Sequence, residues 1–386
     1  MNRIIDIFKG DTYKLPITHS GKKTLQDLLF GEEGILTKYQ KEMEETGEID
    51  TSRIKELCTC IHKVLEARHK GSYAYEEIQD LSDIINSSII NYIPFKEYDS
   101  TANFYRVRIT NNQNRNTNAL EKQQLFHIPF DNRRHIGDYR YSIPGFPCLY
   151  LANSIYTCWQ ELKQPQLNHL QVSRFIKKPN KNSNKYNFRE EALRVYDLTF
   201  EVYDDIRLAL EKVRLDENKL YSIALLYPLI AACSIQVPVD SDNNDSFKYV
   251  PEYIIPQCLL DILFSINKSF YSVEPLAITR CICYSSTRVD KDCKGAFHNL
   301  VLSSYDDGSQ LNSGYSKYLK ESFYMTDVLA AWQLDYRIDQ LEKYENDNVQ
   351  KIKIGGSILN YTETKFGVLE YLLSEENGVE AKKIKF

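Results

Sequence analysis

Four side chains near the middle of the sequence have types and spacings that suit chemistry on an anionic substrate. Arg106 lies in the strand-like run 104–109, and Arg140 stands shortly before a Pro-Gly pair. Tyr150 follows Arg140 by ten residues, and Glu161 follows Tyr150 by eleven. Guanidinium groups bind phosphates through paired hydrogen bonds, and a carboxylate stabilises positive charge that develops on a sugar.

An anionic dinucleotide such as NAD is a substrate that fits this set of residues. Arg106 and Arg140 would hold its pyrophosphate, and Glu161 would stabilise the oxocarbenium-like ribose that forms as the nicotinamide–ribose bond breaks. Nicotinamide leaves as a neutral molecule, so no general acid is required. The simpler alternatives are that Arg106 and Arg108 face solvent from one side of a strand and that Glu161 is a partly exposed helix residue. A fully buried Glu161 would need a partner such as an arginine.

The composition is that of an ordinary globular protein of 386 residues, which is long enough for two domains. The net charge of −5 argues against direct binding of nucleic acid or of a membrane surface. We expect no signal peptide, because Asp6 comes too early for an apolar h-region, and no membrane-spanning helix, because no uninterrupted apolar run approaches about 18 residues. The nine scattered cysteines then indicate a reducing cytoplasm, where they act as small apolar residues.

Common metal and nucleotide motifs are missing from the sequence. The C-x-C pairs at 58–60 and 281–283 lie inside apolar runs, whereas structural zinc sites use C-x2-C knuckles, so no metal is expected. His62 and His69 lie on one predicted helix, and we interpret them as surface or interface residues. A Gly-rich phosphate loop of the common kinds is lacking, so arginine side chains would have to hold a bound nucleotide.

The pattern of apolar residues predicts helices at both ends and a mixed middle. Residues 1 to about 95 read as helical, with a capping-box pattern from Thr51 to Glu56. Helices are expected over 22–29, 34–45, 54–65, 75–90, 154–163, 220–230, 256–266, 325–344 and 361–373, and strands over 104–109, 148–151, 193–198, 277–284 and 296–302. The order predicts an α+β fold in three parts: a helical region 1–95, a catalytic NAD-binding domain 96–310 and a helical extension 311–386.

The central block resembles the RES family, which is named for its arginine, glutamate and serine. The family pattern has an arginine in a short Tyr-Arg strand, then R-aromatic-(S/N)-x-x-G-x-P-x-(I/L)-Y-L-A, and then a helix that carries a glutamate. The matching stretches here are YR (105–106), RYSIPGFPCLYLA (140–152), Glu161, EYIIPQ (252–257) and ICYSS (282–286). The resemblance covers about residues 104–305.

This resemblance implies a fold similar to the diphtheria-toxin class of ADP-ribosyltransferases, with two small packed sheets and helices around them. Family members are typically toxins of bacterial toxin–antitoxin pairs. They consume NAD by hydrolysis or phosphorolysis, or they transfer ADP-ribose to a protein. The implied roles are phosphate binding for Arg106 and Arg140, packing on ribose or nicotinamide for Tyr150, catalysis for Glu161, and pocket walls for Tyr253 and Gln257.

The family serine has two candidates in this sequence, Ser285 and Ser286, and the alignment of ICYSS favours Ser286. Cys281 stands where the family has a glycine, so a backbone shape that only glycine tolerates is expected to be missing there. In a shifted register an arginine at 133–134 would replace Arg140, although the Pro-Gly spacing favours Arg140.

Three functions compete at this stage. The first is an NAD-degrading enzyme of toxin or antiphage-defence type, with NAD as substrate and no further cofactor. The second is a mono-ADP-ribosyltransferase, which often carries an extra acid two residues before its catalytic glutamate, where this sequence has Trp159. The third is a non-catalytic nucleotide sensor or scaffold. Because unrestrained NAD consumption harms the cell, we expect a neutralising antitoxin or regulatory partner, and we expect the flanking helical regions to bind this partner or to form a homo-oligomer.

Overall fold

The described residues form two compact units, each built from several stretches of the chain. The computed structural model describes residues 2–110, 120–179, 193–207, 216–238, 249–270, 281–290, 293, 296–304, 314–331, 350–375 and 378–386. The first unit is Met1–Phe95, Gly137–Pro144 and Tyr196–Arg280, and the second is Lys96–Ile136, Gly145–Val195 and Cys281–Phe386. The predicted segments share the boundary near residue 95, but the units interleave, and residues 311–386 belong to the second unit.

Helices and strands both occur in quantity, and the predicted α+β fold class is confirmed. The helices are α1 (Asn2–Lys9), α2 (Leu25–Phe30), α3 (Ile35–Thr46), α4 (Ser52–His69), α5 (Tyr75–Ile84), α6 (Ile155–Glu161), α7 (Glu201–Arg207), α8 (Glu217–Cys233), α9 (Ile254–Phe270), α10 (Lys317–Ser322) and α11 (Lys365–Leu372). The strands are β1 (Phe95–Tyr98), β2 (Asn103–Ile109), β3 (Cys148–Ala152), β4 (Leu170–Lys177), β5 (Leu193–Leu198), β6 (Cys281–Ser285), β7 (His298–Ser303), β8 (Phe323–Met325), β9 (Leu329–Ala330), β10 (Lys351–Ile354), β11 (Ser357–Asn360) and β12 (Lys382–Lys383).

The helical periodicity of the N-terminal region correctly predicts which residues of α4 form the core. Its apolar residues at 54, 57, 58, 61, 64 and 65 are buried. The predicted capping box is wrong, because Thr51 occupies the N-cap position without a side-chain hydrogen bond to the helix. The helix expected over 75–90 is an α-helix as far as Ile84 and continues as a π-helix, Ile85–Ile89, and a 3-10 turn, Ile90–Tyr92.

Buried tyrosines form much of the centre of the first unit. The rings of Tyr39 and Tyr227 lie 4.5 Å apart, and those of Phe8 and Tyr203 lie 5.3 Å apart. Two of the hydroxyls reach backbone carbonyls of α8, since Tyr39 donates to Ala224 (2.7 Å) and Tyr203 donates to the neighbouring residue 223 (2.9 Å). A buried hydroxyl with an acceptor avoids the cost of desolvation, so tyrosine serves here as a large core residue.

The sheet of the second unit has the strand order β1-β5-β6-β7-β3-β2-β4-β8-β12, with β9 also paired to β4. Strands β1 and β5 lie at one end of this order, and the boundary between the two units falls within each of them. One face packs Phe104, Leu149 and Phe175, and the opposite face packs Tyr105, Val172 and residues of α6 and α11. Both faces are therefore covered, and successive residues of β2 alternate between them.

The pairing between β2 and β3 is minimal, and it divides the strand order into two groups. Both strands are fully described, and they pair only where Tyr105 lies opposite Ala152. By contrast, β2 pairs with β4 at each position from Asn103 to Ile109. The resemblance implied two small packed sheets, whereas the strands named in this order form one continuous sheet that opens next to this single pair, and β10 and β11 form a separate hairpin.

The C-terminal part departs most from the predictions. A helix expected over 325–344 is wrong at its start, because β8 and β9 occupy 323–330; residues 332–349 lie outside the described chain. Met325 pairs with Phe175, and the Thr326 hydroxyl accepts from the backbone N–H of Arg174 (3.0 Å), so this segment extends the sheet. The sequence analysis missed the partner strand β4, which is buried despite the polar residues Gln171 and Ser173. The helix expected over 361–373 is confirmed as a 3-10 turn, Tyr361–Glu363, followed by α11.

Candidate functional site

The short helix α6 carries Glu161 as its last residue, and both its ends are fixed. Ser154 caps the start of the helix by accepting from the backbone N–H of Thr157 (3.1 Å). The end of the helix turns through two residues in the left-handed region, Lys163 at φ +64° and Gln164 at φ +55°. Non-glycine residues adopt this conformation at a cost of about 1 kcal/mol each, so the surrounding structure holds the turn after Glu161 in place.

Two donors, one just after β6 and one in β7, converge on one oxygen of the Glu161 carboxylate. The Ser286 hydroxyl donates to Oε1 (2.7 Å), and the Asn299 side-chain amide donates to the same atom (2.8 Å). The other oxygen, Oε2, lies 3.8 Å from Nε of Arg288. All three neighbours are donors, which matches a carboxylate that accepts at both oxygens.

The Glu161 side chain is 34% exposed, whereas Ser286 and Asn299 are buried. The donors therefore hold the carboxylate from the protein side and leave it open to a ligand. A preorganised carboxylate at an accessible position can stabilise a developing positive charge without first reorienting.

Of the two candidate serines, Ser286 donates a hydrogen bond to Glu161, and its assignment as the family serine stays a prediction. Ser286 follows β6, and its backbone N–H donates to the carbonyl of Phe297 (2.9 Å), just before β7. The ladder between β6 and β7 thus sets the position of the hydroxyl. Cys281 begins β6 as a regular strand residue paired with Leu302, so no glycine-like backbone is needed there.

Arg106 lies where β2 and β3 separate. Its Nη1 donates to the backbone carbonyl of Tyr150 (3.2 Å), and the residue is half-buried. Burial raises the pKa of the Cys158 thiol on α6. Among the nearby charges, Glu370 and Glu161 raise this pKa further, and Arg106 lowers it. The Cys158 thiol also donates to the backbone carbonyl of Tyr105 (3.4 Å), so the helix that ends at Glu161 packs against β2 beside Arg106.

Tyr150 and Arg106 are brought together by the hydrogen bond from the Arg106 guanidinium to the backbone carbonyl of Tyr150. Tyr150 is half-buried on β3 and pairs with Val301 of β7. Its hydroxyl is hydrogen-bonded to the thiol of Cys148, two residues earlier on the same strand. The second unit thus brings together Arg106, Tyr150, Glu161 and Ser286; their predicted roles toward NAD stay predictions.

Arg140 lies in the first unit, and its guanidinium binds backbone carbonyls of the same unit. Its Nη1 donates to the carbonyl of Cys233 (2.9 Å) and its Nη2 to the carbonyl of Ile235 (2.8 Å). Cys233 ends α8, where unpaired carbonyls and the helix dipole both favour a cation. The guanidinium also lies 5.2 Å from the centre of the Tyr253 ring. The proposed binding of phosphate by Arg140 stays a prediction.

Gln257 completes this first-unit cluster. Its amide donates to the carboxylate of Asp138 and to the carbonyl of Tyr139 (3.0 Å), so α9 holds the stretch 137–144. Tyr253 thus contacts Arg140, and Gln257 contacts the two residues before it, while their predicted role as walls of a nucleotide pocket stays a prediction. The alternative arginines at 133–134 lie exposed in the second unit, on the 3-10 turn Phe130–His135. Gly145, after this stretch, has φ +74°, which the predicted Pro-Gly turn requires.

The sequence analysis missed Asn299 and Arg288 as site residues. Arg288 follows the family-like serine by two residues, and its backbone N–H donates to the Ser286 hydroxyl (3.3 Å), so its position was a usable signal. Asn299 precedes the apolar residues 300–302 in the fully buried strand HNLVLS, where a buried amide requires partners. A polar residue inside a buried strand is the feature that would have identified it.

Other site types find little support within the described ranges. The C-x-C pairs lie in α4 and β6, with buried thiols, and no group of three or more metal-binding side chains occurs in the described part of the chain. Among the helices that the structure describes, none is long and apolar enough to span a membrane. His62 is half-buried against Phe30, and His69 is exposed.

Comparison with known proteins gives one informative relative. Over 385 residues the chain is 28% identical to a Bacillus subtilis (strain 168) protein named "Putative toxin YopC", with 96% of this chain and 80% of the relative covered. No family model matches the sequence, so the likeness to the RES family rests on the motifs themselves. No solved structure matches it either.

Proposed function

We propose that this protein is a toxin that destroys NAD by cleaving its nicotinamide–ribose bond, with Glu161 as the catalytic carboxylate. The observation that carries the proposal is the Ser286–Glu161–Asn299 arrangement, in which two buried donors orient an accessible carboxylate. The name of the Bacillus subtilis relative supports the toxin role.

In the proposed reaction the bond between the ribose carbon and the nicotinamide nitrogen breaks, and the electron pair leaves with neutral nicotinamide. Glu161 stabilises the positive charge that builds on the ribose. Water or inorganic phosphate then attacks the ribose carbon and releases a proton, giving ADP-ribose or its 1-phosphate. Arg106, at the opening between β2 and β3, would hold a substrate phosphate.

Trp159 favours NAD consumption over transfer to a protein. It occupies the position two residues before the glutamate, its indole N–H donates to the carbonyl of Pro165 (2.7 Å), and its ring lies 5.1 Å from that of Phe366. A buried packing residue therefore stands where arginine-modifying transferases often carry an acid. A restraining antitoxin and a cytoplasmic setting belong to the same proposal.

The test is incubation of the purified protein with NAD, with and without phosphate, while nicotinamide release is followed. We expect release by the wild-type protein and its loss in Glu161→Gln, whereas Glu363→Gln, a change at an exposed acid of the same unit, keeps full activity. Labelled NAD that marks a protein would instead identify a transferase. Binding of NAD without turnover would identify a sensor, and no binding would overturn the proposal.

A further inference from the structure

The first turn of α6 has a partner for each of its free backbone N–H groups, and two of these partners come from the C-terminal segment 350–375. Ile155 N–H donates to Oε1 of Glu370 (2.7 Å), and Tyr156 N–H faces the hydroxyl of Tyr361 (3.5 Å). The third N–H, of Thr157, donates to Ser154 (3.1 Å). The first N–H groups of a helix have no acceptor within the helix, so these contacts decide how firmly α6 is held.

Packing from the same segment covers the side of α6 that leads to Glu161. The Phe366 ring lies 5.3 Å from that of Tyr156 and 5.1 Å from that of Trp159. The Tyr156 hydroxyl donates to the carbonyl of Lys353 in β10 (3.1 Å). The segment lies outside residues 104–305, the range of the family resemblance, yet it contacts the helix that carries the carboxylate.

The two capping side chains also bind each other. The Tyr361 hydroxyl donates to Oε1 of Glu370, the atom that accepts from Ile155. A tight approach fixes the 3-10 turn against α11: a Cβ on Gly367 would lie 2.5 Å from the carbonyl oxygen of Tyr361. This closeness requires glycine at position 367, and it fixes the distance between the Tyr361 and Glu370 side chains.

We propose that Glu370, together with Tyr361, is a positioning residue for catalysis, because it fixes the start of α6 and thereby the location of Glu161 at the other end. This inference rests on the proposed function of Glu161. The helix has 7 residues, which corresponds to a length of about 10 Å at 1.5 Å per residue, so a tilt at its first turn moves its last residue. Misplacing a reacting group by about 1 Å costs as much as a hundredfold in rate.

The surroundings of the Glu370 carboxyl are apolar apart from a few titratable groups. Tyr361, Tyr105 of β2 and Cys158 of α6 interact with it electrostatically. Burial raises the pKa of Glu370 to about 7 from 4.5, against the lowering effect of the hydrogen bonds from Tyr361 and Ile155. Glutamine, a neutral residue of the same shape, can therefore replace Glu370 and keep its hydrogen bonds.

The experiment compares Glu370→Ala, Glu370→Gln and Tyr361→Phe in the full-length protein, with Glu363→Gln as the exposed control. The alanine variant loses the acceptor, and we expect its kcat for nicotinamide release to fall about tenfold or more with KM for NAD within twofold of wild type. The glutamine oxygen can still accept both hydrogen bonds, so Glu370→Gln should restore most of kcat. Tyr361→Phe should lower kcat about threefold, and it keeps the test valid if Glu370→Ala does not fold.

Backbone hydrogen exchange over residues 153–162 separates this inference from the proposed function. Faster exchange of the Ile155 and Tyr156 amides in Glu370→Ala supports the role of Glu370 in positioning α6, whether or not wild type releases nicotinamide. Failure of wild type to release nicotinamide would overturn only the proposed enzymatic function. A folded Glu370→Ala variant with wild-type kcat and wild-type exchange overturns the inference. So does a Glu370→Gln variant as impaired as Glu370→Ala, since the charge rather than the contacts would then matter.

Discussion

The Arg140 cluster in the first unit and the Glu161 cluster in the second treat their charged groups differently. Arg140 is buried and gives its Nη1 and Nη2 to backbone carbonyls at and after the end of α8. Glu161 stays 34% exposed and receives its hydrogen bonds from the side chains of Ser286 and Asn299. A charge bound to backbone carbonyls fixes the path of the chain, whereas a charge held from behind by side chains remains available to a ligand. The comparison predicts that Glu161 carries the proposed chemistry and that Arg140 contributes to the structure.

The largest effect should come from removing the charge of Glu161. Glu161→Gln keeps an oxygen that accepts from Ser286, but it loses the negative charge opposite the ribose. We expect nicotinamide release to fall about a thousandfold, the scale seen when a preorganised electrostatic group is lost. Quantification of nicotinamide by chromatography at saturating NAD measures it. A variant that retained activity within a few fold would show that another group stabilises the transition state.

Arg140→Ala should act on stability instead. The substitution leaves two buried carbonyls without their donors and removes the stacking on Tyr253, so we expect the free energy of unfolding of the first unit to fall by about 3 to 4 kcal/mol. Urea denaturation followed by helical circular dichroism measures the loss. The matched control is Arg133→Ala, an exposed arginine that should change stability by less than about 0.5 kcal/mol.

The opposite result for Arg140 would break the comparison. If Arg140→Ala kept the stability of wild type and raised the KM for NAD, the arginine would serve the substrate, as the family resemblance implies. If Arg140→Ala lost stability and also raised the KM for NAD, Arg140→Lys would be measured next, because it keeps the charge but not the planar pair of donors.

The sequence predicted the structure best at positions where the residue type has a single physical role. The apolar face of α4 and the strand β3 follow from periodicity, and the family motif identified Glu161 and Ser286, which the structure brings into contact. The motif did not reveal that Arg140 reaches back to the end of α8, because a hydrogen bond to a backbone carbonyl leaves no trace in the partner's residue type. Strand β4 was missed for a related reason: its buried polar residues mask the alternation on which strand prediction depends.

Glu370 escaped prediction because its importance depends on contacts distant in sequence. It lies 215 residues from Ile155, whose N–H it accepts, and nothing near it in the chain distinguishes it from a surface acid. The C-terminal extension was expected to be helical and separate. Its strands β8 and β9 join the sheet because β4 offers a free edge, which is a tertiary property.

The second unit holds another half-buried carboxyl group, that of Glu370, whose contribution to stability should depend on pH. The pKa of Glu370 is raised to about 7 from 4.5, so its protonated form stabilises the fold below pH 4.5, and this contribution is lost as the pH rises through 7. Glu370→Gln cannot ionise. We expect its stability relative to wild type to grow by about 2 to 3 kcal/mol between pH 5 and pH 8, at about 1.4 kcal/mol per pKa unit. Denaturation curves at several pH values measure it, and a constant difference would contradict the assignment.

The smallest effects should come from the two donors that hold Glu161, and their coupling carries the information. Ser286→Ala and Asn299→Ala each remove one hydrogen bond to Oε1, and we expect each to lower kcat for nicotinamide release about tenfold. Because both donors act on one atom, the double variant should lose clearly less than the hundredfold product of independent effects. Initial rates for the four proteins complete this double-mutant cycle. If Ser286→Ala alone cost as much as Glu161→Gln, the hydroxyl would act on the substrate itself, and the carboxylate would be one of two catalytic groups rather than the group that Ser286 positions.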